Sequence, residues 1–457
     1  MNYQRTLYAA MLAPVLLLAQ GQAGWAAVSA DEAGKLKTVL TPMGAEKAAN
    51  QDGTIPAWDG GYTTVAPGYK NGQPRPDPYA GEKPLYTVTS KNMDRYAAHL
   101  SDGVVAMLKK YPDFRLDVYP THRSAAAPNW VYDNTFKNAT RAKLGGNGVS
   151  LEGAYGGIPF PIPKSGAEAM WNHKLAWQGE ASYVPFQTFV VNADGSRVLA
   201  TRGDEWNQYP YYFKDGSLET FKGDYWLVKQ NPTAPSYKAG ESGVGRYHVS
   251  ESAEDPIHAW QYLVGQRRVR RSPSIGYDTP DFVTSGIANF DDALVFSGVL
   301  DRYNWKIVGK KELIIPYNNN RAMSAKLDSL TSGKFLNPDM VRWELHRVWE
   351  VEATVAQGKR HAAPKRRFYL DEDTWNAVLA DSWDAQGQLW KMAYSLMLLA
   401  PDLPGVVGTM SFGVYNLQAG AYVYNVAPNE LSAQFKVMAP MPDKNFTADA
   451  LVGDAIR

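Results

Sequence analysis

The stretch Val341-Arg342-Trp343-Glu344-Leu345-His346-Arg347-Val348-Trp349-Glu350-Val351-Glu352-Ala353 alternates with a period of two. Val341, Trp343, Leu345, Trp349, Val351 and Ala353 share one face of an extended chain; Arg342, Glu344, His346, Glu350 and Glu352 share the other. Side chains alternate across a strand, so the pattern predicts one face against a core or cavity and one face in water. Two positions break it, with Arg347 on the apolar side and Val348 on the polar side. Further strands are expected over residues 366–370, 375–383 and 389–395, divided by the turns Asp371-Glu372-Asp373 and Asp384-Ala385-Gln386-Gly387. In the last of these Trp390, Met392, Tyr394 and Leu396 share a face. This is an antiparallel meander rather than the strand–helix alternation that a parallel sheet requires.

Outward from this centre the chain stays largely β. Residues 412–417 and 422–426 read as a hairpin about Gln418-Ala419-Gly420, and 186–191 with 197–201 as one about Ala193-Asp194-Gly195. Residues 225–229, 247–250, 259–271 and 305–315 continue the series, and 129–138 reads as a strand with Trp130 and Tyr132 on one face. Helices are expected after the capping-box spacings Ser29-Ala30-Asp31-Glu32 and Ser165-Gly166-Ala167-Glu168, the second running through Trp177. A longer helix is expected from Ser90 to Tyr111, before Pro112, with Met93, Tyr96, Leu100, Val104, Met107 and Leu108 at helical spacing. Residues 41–84 are rich in Gly and Pro and predict an extended arm, anchored by Trp58, Tyr62 and Tyr69. The fold class is therefore mainly β, a curved sheet with packed helices.

Met1 to Ala26 has the form of a secretory leader, with Arg5 as its cationic head and a short apolar run. That predicts an exported chain, in a bacterium a periplasmic one. Without its leader the chain carries 46 basic and 46 acidic residues, a balance that argues against nucleic acid as the main partner. The chain has no cysteine, which excludes disulfides, thiolate metal sites, cysteine nucleophiles and an N-terminal lipid on cysteine. Aromatic residues make up 12% of the chain, including 14 Trp and 27 Tyr, a content that suits broad β surfaces or a lined cavity.

No catalytic motif emerges. The seven histidines show no zinc-helix spacing, and no nucleophile elbow, P-loop or dinucleotide fingerprint is present. Gly145-Gly146-Asn147-Gly148 reads as a turn, and Asp371-Glu372-Asp373 as a solvated turn rather than a calcium site. His248 with Glu251, Glu254 and Asp255 forms an acid–base mixture ordinary in loops. No cofactor and no metal is assigned.

Three features carry functional weight: the aromatic face, Arg347 within it, and Arg267-Arg268-Val269-Arg270-Arg271 after a strand. A curved sheet with a greasy inner face is either filled by its own helices or keeps a cavity. Arg347 in such a cavity would need a carboxylate, carbonyls or a ligand headgroup; a β-bulge that turned it outward is the alternative. Arg267, Arg268, Arg270 and Arg271 either dock an acidic partner or guard a solvated sheet edge.

The runs 368–375 and 383–391 resemble the strand–turn–strand of outer-membrane lipoprotein-sorting proteins of the LolA/LolB type, and 264–271 fits the strand before their cavity rim. More closely, 40–50 leading into Asp52-Gly53-Thr54-Ile55-Pro56-Ala57-Trp58, with Arg270-Arg271-Ser272-Pro273 and Tyr277-Asp278-Thr279-Pro280, resembles an uncharacterised proteobacterial periplasmic family, domain of unknown function number 1329. The resemblance implies a large incomplete antiparallel β-barrel wrapped over helices, with a groove for acyl chains or other lipophiles. It further implies work beside an inner-membrane resistance-nodulation-division type transporter and an outer-membrane protein. It supplies no catalytic residue. The expected organisation is a leader over 1–26, N-terminal helices and arm over 27–140, and a LolA-like β domain over 141–457. The expected function is a periplasmic carrier of a lipid-like ligand lined by Trp260, Tyr262, Trp343, Leu345, Trp349, Trp390, Met392 and Tyr394, with Arg347 at the headgroup. A carbohydrate-active or other hydrolase and a structural envelope adaptor are the alternatives.

Overall fold

The computed structural model describes residues 27–250, 256–272, 275–408 and 410–455; the expected leader and the acids Glu251, Glu254 and Asp255 lie outside them. Serine caps start the helices as their spacing predicts. Ser29 Oγ accepts from Glu32 N–H (3.2 Å) at α1 (Ala30–Gly34). At the second box, Ser165 Oγ accepts from Glu168 N–H (3.2 Å) and starts α4 (Gly166–Lys174).

Between them lie α2 (Asp102–Lys110) and α3 (Asn129–Arg141), and both correct the sequence reading. The helix expected from Ser90 is broken: Met93–His99 is a 3-10 helix, and Ser101 caps a new helix by accepting from Val104 N–H (3.2 Å). A local cap outcompetes the continuing apolar period. The strand expected at 129–138 is a helix, because Val131, Thr135, Asn138 and Ala139 lie at i, i+4, i+7 and i+8 and are all buried. Trp130 and Tyr132 had suggested the wrong period.

Sixteen strands form one open sheet. In chain order they are β1 (Tyr86–Val88), β2 (Leu116–Tyr119), β3 (Ala181–Val191), β4 (Arg197–Gln208), β5 (Asp224–Ala234), β6 (Gly243–His248), β7 (Ile257–Leu263) and β8 (Arg268–Arg271). Then follow β9 (Tyr303–Pro316), β10 (Trp343–Val355), β11 (Lys365–Asp371), β12 (Ala377–Trp383), β13 (Leu389–Ser395), β14 (Phe412–Asn416), β15 (Ala421–Asn425) and β16 (Lys436–Val437). The spatial order is β1-β2-β10-β11-β12-β13-β14-β15-β3-β4-β5-β6-β7-β8, with β9 also on β10 and β16 on β3. Only β2 with β10 is parallel. The run 259–271 is not one strand: Arg267, at φ 50°, turns the chain back, so β8 pairs with β7 as the terminal ribbon.

The meander β10–β14 is largely buried on both sides, which corrects the expectation of one wet face there. Helix α2 lies on one side with Met107 and Leu108 in a core that includes Val348, Tyr369, Met392 and Tyr394. Gly103 brings it close, since a Cβ there would sit 2.2 Å from Asp381 Oδ1. Helix α4 covers the opposite side, with Trp171 in a core that includes Val351, Phe368 and Ala393. His173 fixes this contact as neutral imidazole: Nδ1 accepts from Ala377 N–H (3.0 Å) and Nε2–H donates to Phe296 O (2.9 Å). Burial pushes it down to about 4.

Burial pushes the Asp381 carboxyl up to about 7; it receives Tyr369 Oη–H at 3.1 Å. The unfolded chain ionises this group from about pH 4, while the folded protein keeps the proton to about 7. Stability therefore falls as pH rises through that window and levels above it. Asp381→Asn is expected to reduce this slope and to raise stability by about 2 kcal/mol at pH 8, at about 1.4 kcal/mol per pKa unit less the lost acceptor. Urea unfolding at pH 5 and pH 8 measures it; an equal effect at both values would remove the titration from the argument.

Candidate binding cavity

Beyond β15 the two cores part. Between β3–β7 and residues 275–297 the sheet encloses a cavity of about 320 Å³. Its apolar wall includes Phe186, Val228, Ile275, Phe290, Leu294 and Phe412. Alternation along β4 and β5 aims Thr201, Glu205 and Asn207, with Trp226, Val228 and Gln230, to this side, while Trp206 and Leu227 turn to the other. Burial raises the Glu205 carboxyl above the ordinary range, against hydrogen bonds from Gln230 Nε2 and Asn207 Nδ2, each 2.6 Å. Asn207 Oδ1 in turn accepts from Trp226 Nε1–H at 2.9 Å.

The far wall is held by buried ions. Arg366, 1% exposed, bonds Asp291 Oδ2 (2.7 Å) and Asp292 Oδ1 (2.8 Å). Lys391 Nζ reaches Asp292 Oδ2 (3.0 Å) and Asn289 Oδ1 (3.1 Å), and His361 Nε2 reaches Asp291 Oδ2 (2.8 Å). Burial opposes ionisation of Asp292, yet Lys391 and Arg366 together hold it below the usual carboxylate range. Just beyond, Leu294 and Val295 sit at φ 55° and 69°, a left-handed conformation that is rare for a β-branched residue such as Val295.

The sequence-predicted residues fall elsewhere. Only Trp260 borders the cavity, and with Tyr262 it packs on the reverse side against Phe446 and Leu451 near the C-terminal helix Ala448–Ala455. Trp343, Met392 and Tyr394 surround a gap of only about 20 Å³ beneath Phe114 and Leu336, and Leu345 is in the same core. Trp349 stacks on Trp375 at 5.8 Å. Trp390, half-buried, lies beside Lys391, whose Nζ is 4.1 Å from its ring centre. Arg347 needs no ligand headgroup: it bonds Glu372 Oε1 (3.3 Å) and the arm carbonyl of Ala48 (3.1 Å). No bulge at Arg347 turns it outward, since β10 pairs with β9 in continuous register there, Leu313 with His346, Glu312 with Arg347 and Lys311 with Val348. Arg267, Arg268, Arg270 and Arg271 are exposed on the terminal ribbon.

The acidic turn is the largest correction. Asp371, Glu372 and Asp373 are buried rather than solvated. Arg123 forks both oxygens of Asp373 (2.6 and 2.9 Å), and Lys310 reaches Glu372 (3.0 Å). Glu344 and His346, expected in water, join the same ion set at 3.0 Å from each other, with Arg342 on Glu344 at 2.5 Å. His346, Asp371 and Asp373 bring ligand atoms within 4.8 Å of one another, but a cation there would have to displace Arg123 from Asp373. These bonds clamp the extended arm to the sheet.

Among solved structures, a family member from Desulfovibrio piger is 14% identical, covering 60% of this chain and 92% of its own, with a TM-score of 0.40. A LolA superfamily protein from Nitrosomonas europaea is 11% identical over 63% of this chain and all of its own, with a TM-score of 0.37. The uncharacterized protein PA3922 of Pseudomonas aeruginosa is 39% identical over 99% of this chain and 98% of its own length. The sequence model described as a protein of unknown function (DUF1329) matches residues 87–452. With that match and that relative, the chain belongs to the DUF1329 family.

Proposed function

We propose that this protein binds and carries a lipophilic small molecule in the cavity between β3–β7 and residues 275–297. The observation that carries this reading is a space of about 320 Å³ whose wall combines Phe, Val, Ile and Leu side chains with polar ones, beside a meander β10–β14 that is packed on both sides. Burial of apolar surface at roughly 25 cal/mol per Å² gives a lipid chain several kcal/mol there without chemistry. Export through the leader, and docking of the arginine ribbon on an envelope partner such as a resistance-nodulation-division type transporter, belong to the same proposal.

Val228→Trp fills the cavity from a half-exposed strand position. It is expected to weaken binding of a lipophilic fluorophore at least tenfold while leaving the melting temperature within a few degrees. Saturable binding unaffected by the substitution would place the ligand elsewhere; no saturable binding by the unaltered protein would end the carrier reading.

A further inference from the structure

The polar groups in the cavity specify more than greasiness. Glu205 is the one carboxylate of its lining that receives two side-chain amides and no cation among the described residues. Asp292, by contrast, is neutralised by Lys391 and Arg366. Each Glu205 oxygen takes a single amide hydrogen, so each keeps a free lone-pair direction. Asn207 is itself fixed by Trp226, so the carboxylate is held in place rather than free to swing into water. A second observation is independent of it. Thr201, on the same strand and the same side, is 6% exposed, and its Oγ1 has no hydrogen-bond partner. A buried hydroxyl without a partner costs roughly 1–3 kcal/mol, and native proteins rarely leave one so. Thr201 lies four residues from Glu205 along β4, about 13 Å at the rise of an extended strand, so it offers a separate polar contact further along the same wall.

Building on the carrier reading, we propose that the ligand is a lipophilic amine, whose ammonium group is held by Glu205 while its apolar part fills the space toward Phe186, Val228 and Phe412. An ammonium has three donors and no acceptor, which suits the two free lone-pair directions of the Glu205 carboxylate. Its charge also offsets that of a carboxylate drawn out of water, whose ionised form burial otherwise disfavours. A fatty acid meets the opposite situation: its carboxylate faces Glu205, with Lys238 the one basic side chain of the lining. The acidic wall therefore selects against the anionic headgroup that the arginines in the sequence had suggested.

The test compares dodecylamine, dodecanol and dodecanoate below their micellar concentrations, by calorimetry or by displacement of a cavity fluorophore, on the unaltered protein and on Glu205→Gln. Dodecylamine is expected to bind at least tenfold more tightly than dodecanoate. Glu205→Gln is expected to remove that preference while binding dodecanol as before, which also shows the variant folded with its cavity intact. Dodecanoate binding as tightly as the amine, or an amine preference that survives Glu205→Gln, overturns the assignment and leaves the carrier reading in place. Failure of all three probes to bind the unaltered protein overturns both.

Discussion

Arg366→Met is expected to lower the stability of this protein by about 3–5 kcal/mol, the usual cost of stranding buried charge by removing one partner. Its guanidinium is 1% exposed and spans Asp291 and Asp292, which are themselves buried. Methionine matches much of the volume but supplies no donor, so the two carboxylates would be left with His361, Lys391 and the backbone N–H of Asn289. The damage is local in origin and wide in effect. Asn289, Asp292, Ala293 and Leu294 all line the cavity, and the backbone at Leu294 and Val295 holds a conformation it would not choose unaided. The variant should therefore lose lipophile affinity along with stability. Urea unfolding and fluorophore titration measure the two effects. Adding Asp291→Asn should recover part of the stability, because removing both partners is cheaper than orphaning one. A single-variant loss below 1 kcal/mol would show that the ion set does not hold this wall.

Trp375→Ala is expected to cost about 3–5 kcal/mol, the range for truncating a buried tryptophan. Trp375 is fully buried, its Nε1–H donates to Met43 O at 2.8 Å, and its ring stacks on Trp349. It sits at φ 64°, so alanine gains no relief of backbone strain. The contact with Met43 ties the extended arm to the sheet, and Arg123 adds bonds to Lys47 O and Pro56 O, both at 3.4 Å. Limited proteolysis should accordingly cut the variant first within residues 41–84, while the unaltered protein resists. Equal resistance would mean that Arg123 and Arg347 hold the arm without the indole.

The strands of the meander were legible because each carries its own alternation; β10–β13 and the hairpin β14–β15 lie within a few residues of where the period places them. The burial of Glu344, His346 and the acidic turn was not. Periodicity tells which residues share a face, but Arg123 and Asn318, which help satisfy these groups, come from other segments. The same limit hid where the expected lining residues pack. Trp343, Met392 and Tyr394 do share a face, but α2 and residues near Leu336 fill it. The cavity beside β3–β7 depends on residues 275–297, which have no period and are bonded to Arg366 and Lys391. One signal was available: Thr201, Glu205 and Asn207 alternate along one strand and Trp226, Val228 and Gln230 along the next, a mixed polar and apolar face unlike a plain core.

The pairing of β3 with β15 joins Val191 to Tyr422 across about half of the chain. Every strand on the cavity side is thus attached to the rest of the sheet through a hairpin that is synthesised nearly last. Until it arrives, β3 presents an open hydrogen-bonding edge with Phe189 and Val191 beside it, the kind of edge that recruits other chains. Closing such long loops is slow. A nascent or truncated chain ending before Ala421 should aggregate, and the intact protein should refold late and all at once, with the cavity formed only in the final step.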